Sequence, residues 1–149
     1  MRKLNVLMVV CCFLLLASSA QAQTSCVKVK FEIDGKEVDQ KFKVVLHINN
    51  EVIEPSMIGK GFIVPPDLKN HETVGVQFLS GEYDLFFESV HKSAFETDWI
   101  VGVDKPPFDN ENISSENPDP PGKKLLIIHY ITFVPKNGEE TRVVVKVYK

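Results

Sequence analysis

The chain has 149 residues, with 17 Lys and Arg against 20 Asp and Glu and a net charge of −3 at pH 7. A mildly acidic protein without a basic cluster suits neither nucleic acid nor an anionic membrane surface, where affinity begins with clustered cations neutralising phosphates. Its length suits one domain able to bury about two-thirds of its unfolded surface.

At the N-terminus, Arg2 and Lys3 precede the apolar run Val6–Ala17, and Ala20 and Ala22 follow in the small-residue pattern of a cleavage site. Basic, apolar and small residues in that order form a secretory signal peptide. The run falls short of the roughly 18 residues a spanning helix needs, and no later segment approaches that length. The expected organisation is therefore a signal peptide over 1–22, cleaved near Ala22, and a single secreted or periplasmic domain over 23–149. Removing Arg2 and Lys3 leaves 15 Lys and Arg against 20 acids, a net charge of −5.

Cys11 and Cys12 lie in the signal, so Cys26 stands alone and no disulfide within the domain is expected. A lone cysteine in an exported chain reads as a free thiol or a dimer disulfide. Lipid attachment is a third option, although Gln23 stands where bacterial lipoproteins carry an aliphatic residue. Cys26 precedes the first expected strand, and no cation before Lys28 would activate it as a nucleophile.

Downstream, period-2 alternation dominates and helical spacing is scarce. In "VKVKFEIDGKEVDQKFKVVLHI", Val27, Val29, Phe31 and Ile33 alternate with Lys28, Lys30 and Glu32. Asp34-Gly35 favours a two-residue turn, because both residues tolerate positive φ. That turn sets Phe31 against Val38 and Val27 against Phe42, and Val44, Leu46 and Ile48 extend the apolar face. In "TVGVQFLSGEYDLFFESV", a turn at Ser80-Gly81 pairs Phe78 with Tyr83, Val76 with Leu85 and Val74 with Phe87. In "LLIIHYITFVPKNGEETRVVVKVY", a turn at Asn137-Gly138 pairs Thr132 with Val143, Tyr130 with Val145 and Ile128 with Val147. Pro135 then meets Glu140 at a site that needs no N–H. The reverse face, with Leu125, Ile127, Ile131, Phe133 and Val144, is also apolar, which places this hairpin centrally or beneath a loop. The shorter runs "EVIEP", "GFIVPP" and "DWIVGV" bring the total to about eight or nine strands of ordinary length. Many short antiparallel strands bury their apolar faces most simply as two packed sheets, so the expected fold is an all-β antiparallel β-sandwich, Ig-like or transthyretin-like.

"GKGFIVPPDL" followed by "FLSGEYDLFFESV" resembles the Gly-x-Phe-x-x-Pro and Leu-x-x-Gly-x-Tyr-x-Leu pattern of carboxypeptidase-regulatory-like, or transthyretin-like, β-sandwich modules. The matching residues are Gly61, Phe62, Pro65, Leu79, Gly81, Tyr83 and Leu85, about the middle fifth of the chain. The family usually has a shorter link between the two halves. The resemblance implies a seven-stranded, non-catalytic accessory or adhesive module and brings no active site with it.

The residues point to no catalytic, cofactor-binding or metal-binding set. His47, His71, His91 and His129 lack the spacing of a zinc motif. His129, set against Lys146 by the expected register, reads as a half-buried structural histidine, and His47 falls on the polar side of its strand. No serine sits in G-x-S-x-G and no glycine-rich loop opens a helix. Trp99, Val101 and Val103 share one parity, so Trp99 reads as core rather than as a carbohydrate platform.

Between the last two halves, residues 104–122 form a long loop rich in Pro, Asp and Asn. Its acids Asp104, Asp109, Glu111, Glu116 and Asp119 are donors calcium favours, but their spacing matches no EF-hand. Asn112-Ile113-Ser114 is an N-glycosylation sequon. The loop reads first as a solvated connection and second as a partner-binding segment. The functional expectation is a non-catalytic exported module that binds a protein or a cell-envelope polymer, with a dimer through Cys26 as one outcome. The alternative is a small secreted enzyme or ligand carrier whose site exists only in the folded state.

Overall fold

The computed structural model describes residues 25–108 and 120–149, in which eleven strands form two sheets. The larger sheet contains β1 (Cys26–Ile33), β2 (Lys36–Glu37), β5 (Met57–Ile58), β6 (Gly61–Ile63), β9 (Asp98–Asp104), β10 (Leu125–Val134) and β11 (Thr141–Tyr148). Its order is β11-β10-β9-β1-β6-β5, with β2 also on β1. The smaller sheet, β3 (Lys43–Ile48), β4 (Glu51–Ile53), β7 (Thr73–Ser80) and β8 (Tyr83–His91), has the order β4-β3-β7-β8. Two short 3₁₀ segments, Pro66–Asn70 and Lys92–Glu96, complete the described chain. No helix among the described residues is long and apolar enough to cross a membrane.

The protein is thus all-β with two sheets, but the larger sheet is mixed. β1 and β9 run parallel, from Val29 beside Trp99 to Ile33 beside Val103. Strand alternation could not reveal this, because one-sided burial gives the same period in either direction. Eleven strands replace the expected eight or nine because the arm after Asp34-Gly35 divides into β2 and β3, and Met57–Ile58 adds the two-residue β5. Cys26, expected to precede the first strand, is the first residue of β1, exposed and free.

Alternation does sort the core. Val27, Val29 and Phe31 from β1 meet Val44 and Leu46 from β3 and Val76 and Phe78 from β7 in one hydrophobic cluster. Phe31 and Phe78 touch across the sheets with ring centroids 5.1 Å apart. At one end of the core, Trp99 packs edge-on against Phe62, Phe95 and Phe133 at 5.2, 5.1 and 5.8 Å. Its Nε1–H donates to the Ala94 carbonyl at 2.8 Å. Buried, Trp99 is core as expected, and the carbohydrate-platform alternative is excluded.

Of the three turns, the first forms as expected and the other two shift the register. Asp34 and Gly35 have φ of 52° and 77°, as a type I′ turn requires, and Val38 N–H donates to the Phe31 carbonyl. The ladder then stops. β6 takes the rest of this edge of β1, so Val27 pairs with Phe62 rather than Phe42, and the chain crosses to the smaller sheet. There Phe42 stacks on Phe78 at 5.1 Å. In the second hairpin Gly81 is the first central residue, with φ of 57°. That is the glycine position of a type II′ turn. Ser80 therefore pairs with Tyr83, Phe78 with Leu85 and Val76 with Phe87, two residues from the expected register and on the same faces.

The third hairpin slips by one. Asn137 lacks the positive φ of a type I′ turn, and the ladder closes at Phe133–Thr141. Ile131 meets Val143 and Tyr130 meets Val144, so the β11 row expected opposite each β10 face is exchanged. His129 accordingly faces Val145 and Val103, not Lys146. β10 lies between β9 and β11, inside its sheet as expected, while β11 ends the sheet order.

Candidate functional site: a polar cleft on the larger sheet

Ile131 and Phe133 lie on the inner face, within the core, Tyr130 and Thr132 lie on the outer face, and the slip sets Arg142 opposite Thr132. Tyr130 lies opposite Gly102 of β9, which lies beside Glu32 of β1, so the three form one row across three strands. Gly102 makes that row work. A Cβ there would sit 2.1 Å from Tyr130 Cζ, so the ring lies directly against the glycine backbone. Its hydroxyl reaches past β9 and donates to Glu32 Oε2 at 2.9 Å. Arg142 covers the ring, with its guanidinium carbon 4.3 Å from the centroid, and its Nε–H donates to Thr132 Oγ1 at 2.8 Å.

Glu32, Tyr130 and Arg142 line a cleft of about 530 Å³ together with Asp34, Asp104 and Lys105. The first turn is tied to the start of the long connection: Asp34 N–H donates to the Val103 carbonyl, and Asp34 Oδ1 accepts from Lys105 N–H at 2.7 Å. Burial first, and then the bond to Glu32, push the Tyr130 pKa well above the usual phenol value. The hydroxyl therefore stays protonated near neutral pH and acts as a donor, not as a base. The interaction with Tyr83, whose ring centroid lies 5.2 Å from Lys105 Nζ, raises the lysine pKa, so that cation also persists. The cleft thus presents fixed charges and fixed donors, an arrangement suited to recognition.

Comparison with known proteins matches no family model, curated protein or solved structure. The cleft is the feature that marks a site. A second cleft of about 550 Å³, with Pro65, Pro66, Leu68 and Phe95 in its walls, is mainly apolar. Its hydrogen-bonded polar pair, His91 and Ser93, is exposed, whereas Tyr130 is buried, and firmly positioned polar groups are what orient a ligand.

The histidines go to separate places. His47 bonds Gln77 Oε1 at 3.0 Å and packs against Phe86 on the outer side of the smaller sheet. His71 lies 3.7 Å from Asp67, and His91 accepts from Ser93 N–H at the start of its 3₁₀ segment. Among the described residues no three His, Cys, Asp or Glu side chains converge on a metal position. The candidate calcium donors Asp109, Glu111, Glu116 and Asp119, and the sequon at Asn112, lie outside the described residues. Asp104 joins the cleft.

His129 is buried between the sheets. Its Nε2–H points to the Phe86 carbonyl at 3.4 Å, its ring meets Phe87 edge-on at 5.2 Å, and buried Nδ1 has no partner among the described residues. Burial lowers its pKa below the ordinary 6.5, outweighing the Phe86 carbonyl. Above that ordinary value both folded and unfolded states are neutral and the contribution to stability is complete. As pH falls below it, the unfolded chain takes up a proton that the folded chain refuses, costing up to about 1.4 kcal/mol per pH unit until the folded pKa is passed. The urea midpoint at pH 5.5 should therefore lie below that at pH 7.5, and His129→Phe should flatten the difference. An unchanged slope in the variant would show that other groups carry the dependence.

Proposed function

We propose that residues 23–149 form an exported, non-catalytic β-sandwich module that binds a protein or cell-envelope polymer through the cleft over Gly102. The carrying observation is that Tyr130, Glu32, Thr132 and Arg142 are fixed to one another on an outward face, where they add nothing to the core between the sheets. Positioned polar groups on a rigid strand surface suit binding. The dispersal of the four histidines supports a module over a hydrolase. The cleft volume, about 530 Å³, also lies within the range of small-molecule sites, which supports a ligand carrier as the second reading. A transthyretin-like module is the family form of this proposal, with Phe62, Tyr83 and Leu85 of the shared pattern in the core.

The test has two parts. N-terminal sequencing of chain recovered outside the cytoplasm should begin at Gln23, and a non-reducing gel reports whether Cys26 joins two chains. Capture from the envelope fraction should recover a partner with the native chain and lose it with Arg142→Gln at an unchanged melting temperature. Capture indifferent to that substitution removes the cleft from the proposal. A small molecule retained instead of a macromolecule favours the carrier.

A further inference from the structure

Arg142 is the only arginine after Arg2; every other cation in the domain is a lysine. The fold immobilises it at two points, through Nε on Thr132 Oγ1 and through the guanidinium plane on Tyr130. Both supports are themselves fixed: Thr132 and Tyr130 are buried, and Tyr130 is tethered to Glu32 across Gly102. A long exposed side chain has thereby lost much of its rotamer freedom before any partner arrives, which lowers the entropic cost of binding. The Thr132 bond uses one of the five N–H donors of a guanidinium. The ion pairs among the described residues are Lys43–Glu54, Lys60–Asp39 and His71–Asp67, and Arg142 takes part in none of them.

We infer that Arg142 is a preorganised fork for a carboxylate, supplied by an Asp or Glu side chain of a polypeptide partner. This rests on the cleft being the binding surface. The planar guanidinium offers parallel N–H groups that match a carboxylate, a geometry lysine cannot supply. Neighbouring charge separates carboxylate from phosphate. Glu32, Asp34 and Asp104 line the cleft as well as Lys105 and Arg142, so an incoming anion meets no net positive surround. A phosphate dianion feels about twice the repulsion of a carboxylate for the same bidentate contact. The single negative charge is the better fit.

The test follows the Arg142 Nε–Hε resonance of the processed chain while N-acetyl-glutamate N-methylamide is added. A saturable shift is expected, with a Kd on the order of 10 mM for one charge-assisted pair. Arg142→Lys, which keeps the charge and loses the fork, should weaken binding about tenfold when followed on neighbouring amides. Thr132→Val, which frees Nε, should weaken it about threefold by restoring side-chain freedom. No saturation by roughly 100 mM probe, equal affinity in Arg142→Lys, or tighter binding of inorganic phosphate or N-acetyl-lysine amide would each overturn the assignment. Failure of the probe beside Arg142-dependent partner capture overturns the carboxylate and leaves the binding reading standing; capture indifferent to Arg142 removes both.

Discussion

Trp99→Ala is expected to cost about 3–5 kcal/mol, the usual range for deleting a large buried aromatic. The side chain holds together three elements that are far apart in sequence: Phe62 on β6, Phe95 in the second 3₁₀ segment and Phe133 on β10. It also secures the crossing from the smaller to the larger sheet, because the Ala94 carbonyl accepts both from Trp99 Nε1 and from the Thr97 hydroxyl. Trp99→Phe keeps a ring in the cluster and leaves that carbonyl its Thr97 donor, so its cost should stay near 1–2 kcal/mol. Urea denaturation followed by circular dichroism separates the two. A loss below about 1 kcal/mol for the alanine variant would mean the cluster closes around the void, contrary to the packing described.

Gly102→Ala should be nearly as damaging, for a different reason. The new methyl would occupy the space of the Tyr130 ring, and the backbone beneath it belongs to a strand paired on both sides. Overpacking costs about 1–3 kcal/mol, and losing the bond to the Glu32 carboxylate adds roughly 1.5–3 if the ring is evicted. A double-mutant cycle isolates the cause. In a Tyr130→Ala background the added methyl has room, so the two changes should be non-additive by at least about 1 kcal/mol. Additive losses would show that the glycine matters to β9 itself and not to the tyrosine. Displacing the ring should also release Arg142 and weaken N-acetyl-glutamate binding.

Comparing the expected and observed hairpins shows what alternation specifies. Which residues of a strand share a face is local information, and the inward rows of β1, β3, β7 and β8 follow it. Register depends on turn geometry. It held at Asp34-Gly35, moved by two where Gly81 took the first turn position, and moved by one where Asn137 kept a negative φ. Only the last shift changes faces, and it is the one that puts Arg142 opposite Thr132. Strand neighbours are global information: β1 meets β6 and β9 because of how the whole chain closes, and no pattern within "VKVKFEI" encodes that. The cleft escaped the sequence reading for the same reason, since Glu32, Gly102, Tyr130 and Arg142 sit on four different strands. One clue was present. A glycine inside the apolar run "DWIVGV" marks a close approach by another group.

The parallel pairing of β1 with β9 also governs the order of events during synthesis. A chain made N-terminus first leaves one edge of β1 open for about 70 residues before β9 exists, while the β7–β8 hairpin can zip as soon as β8 has emerged. The larger sheet must therefore assemble last, around a strand kept waiting since the beginning. Until then that strand is the segment most in need of a holding chaperone.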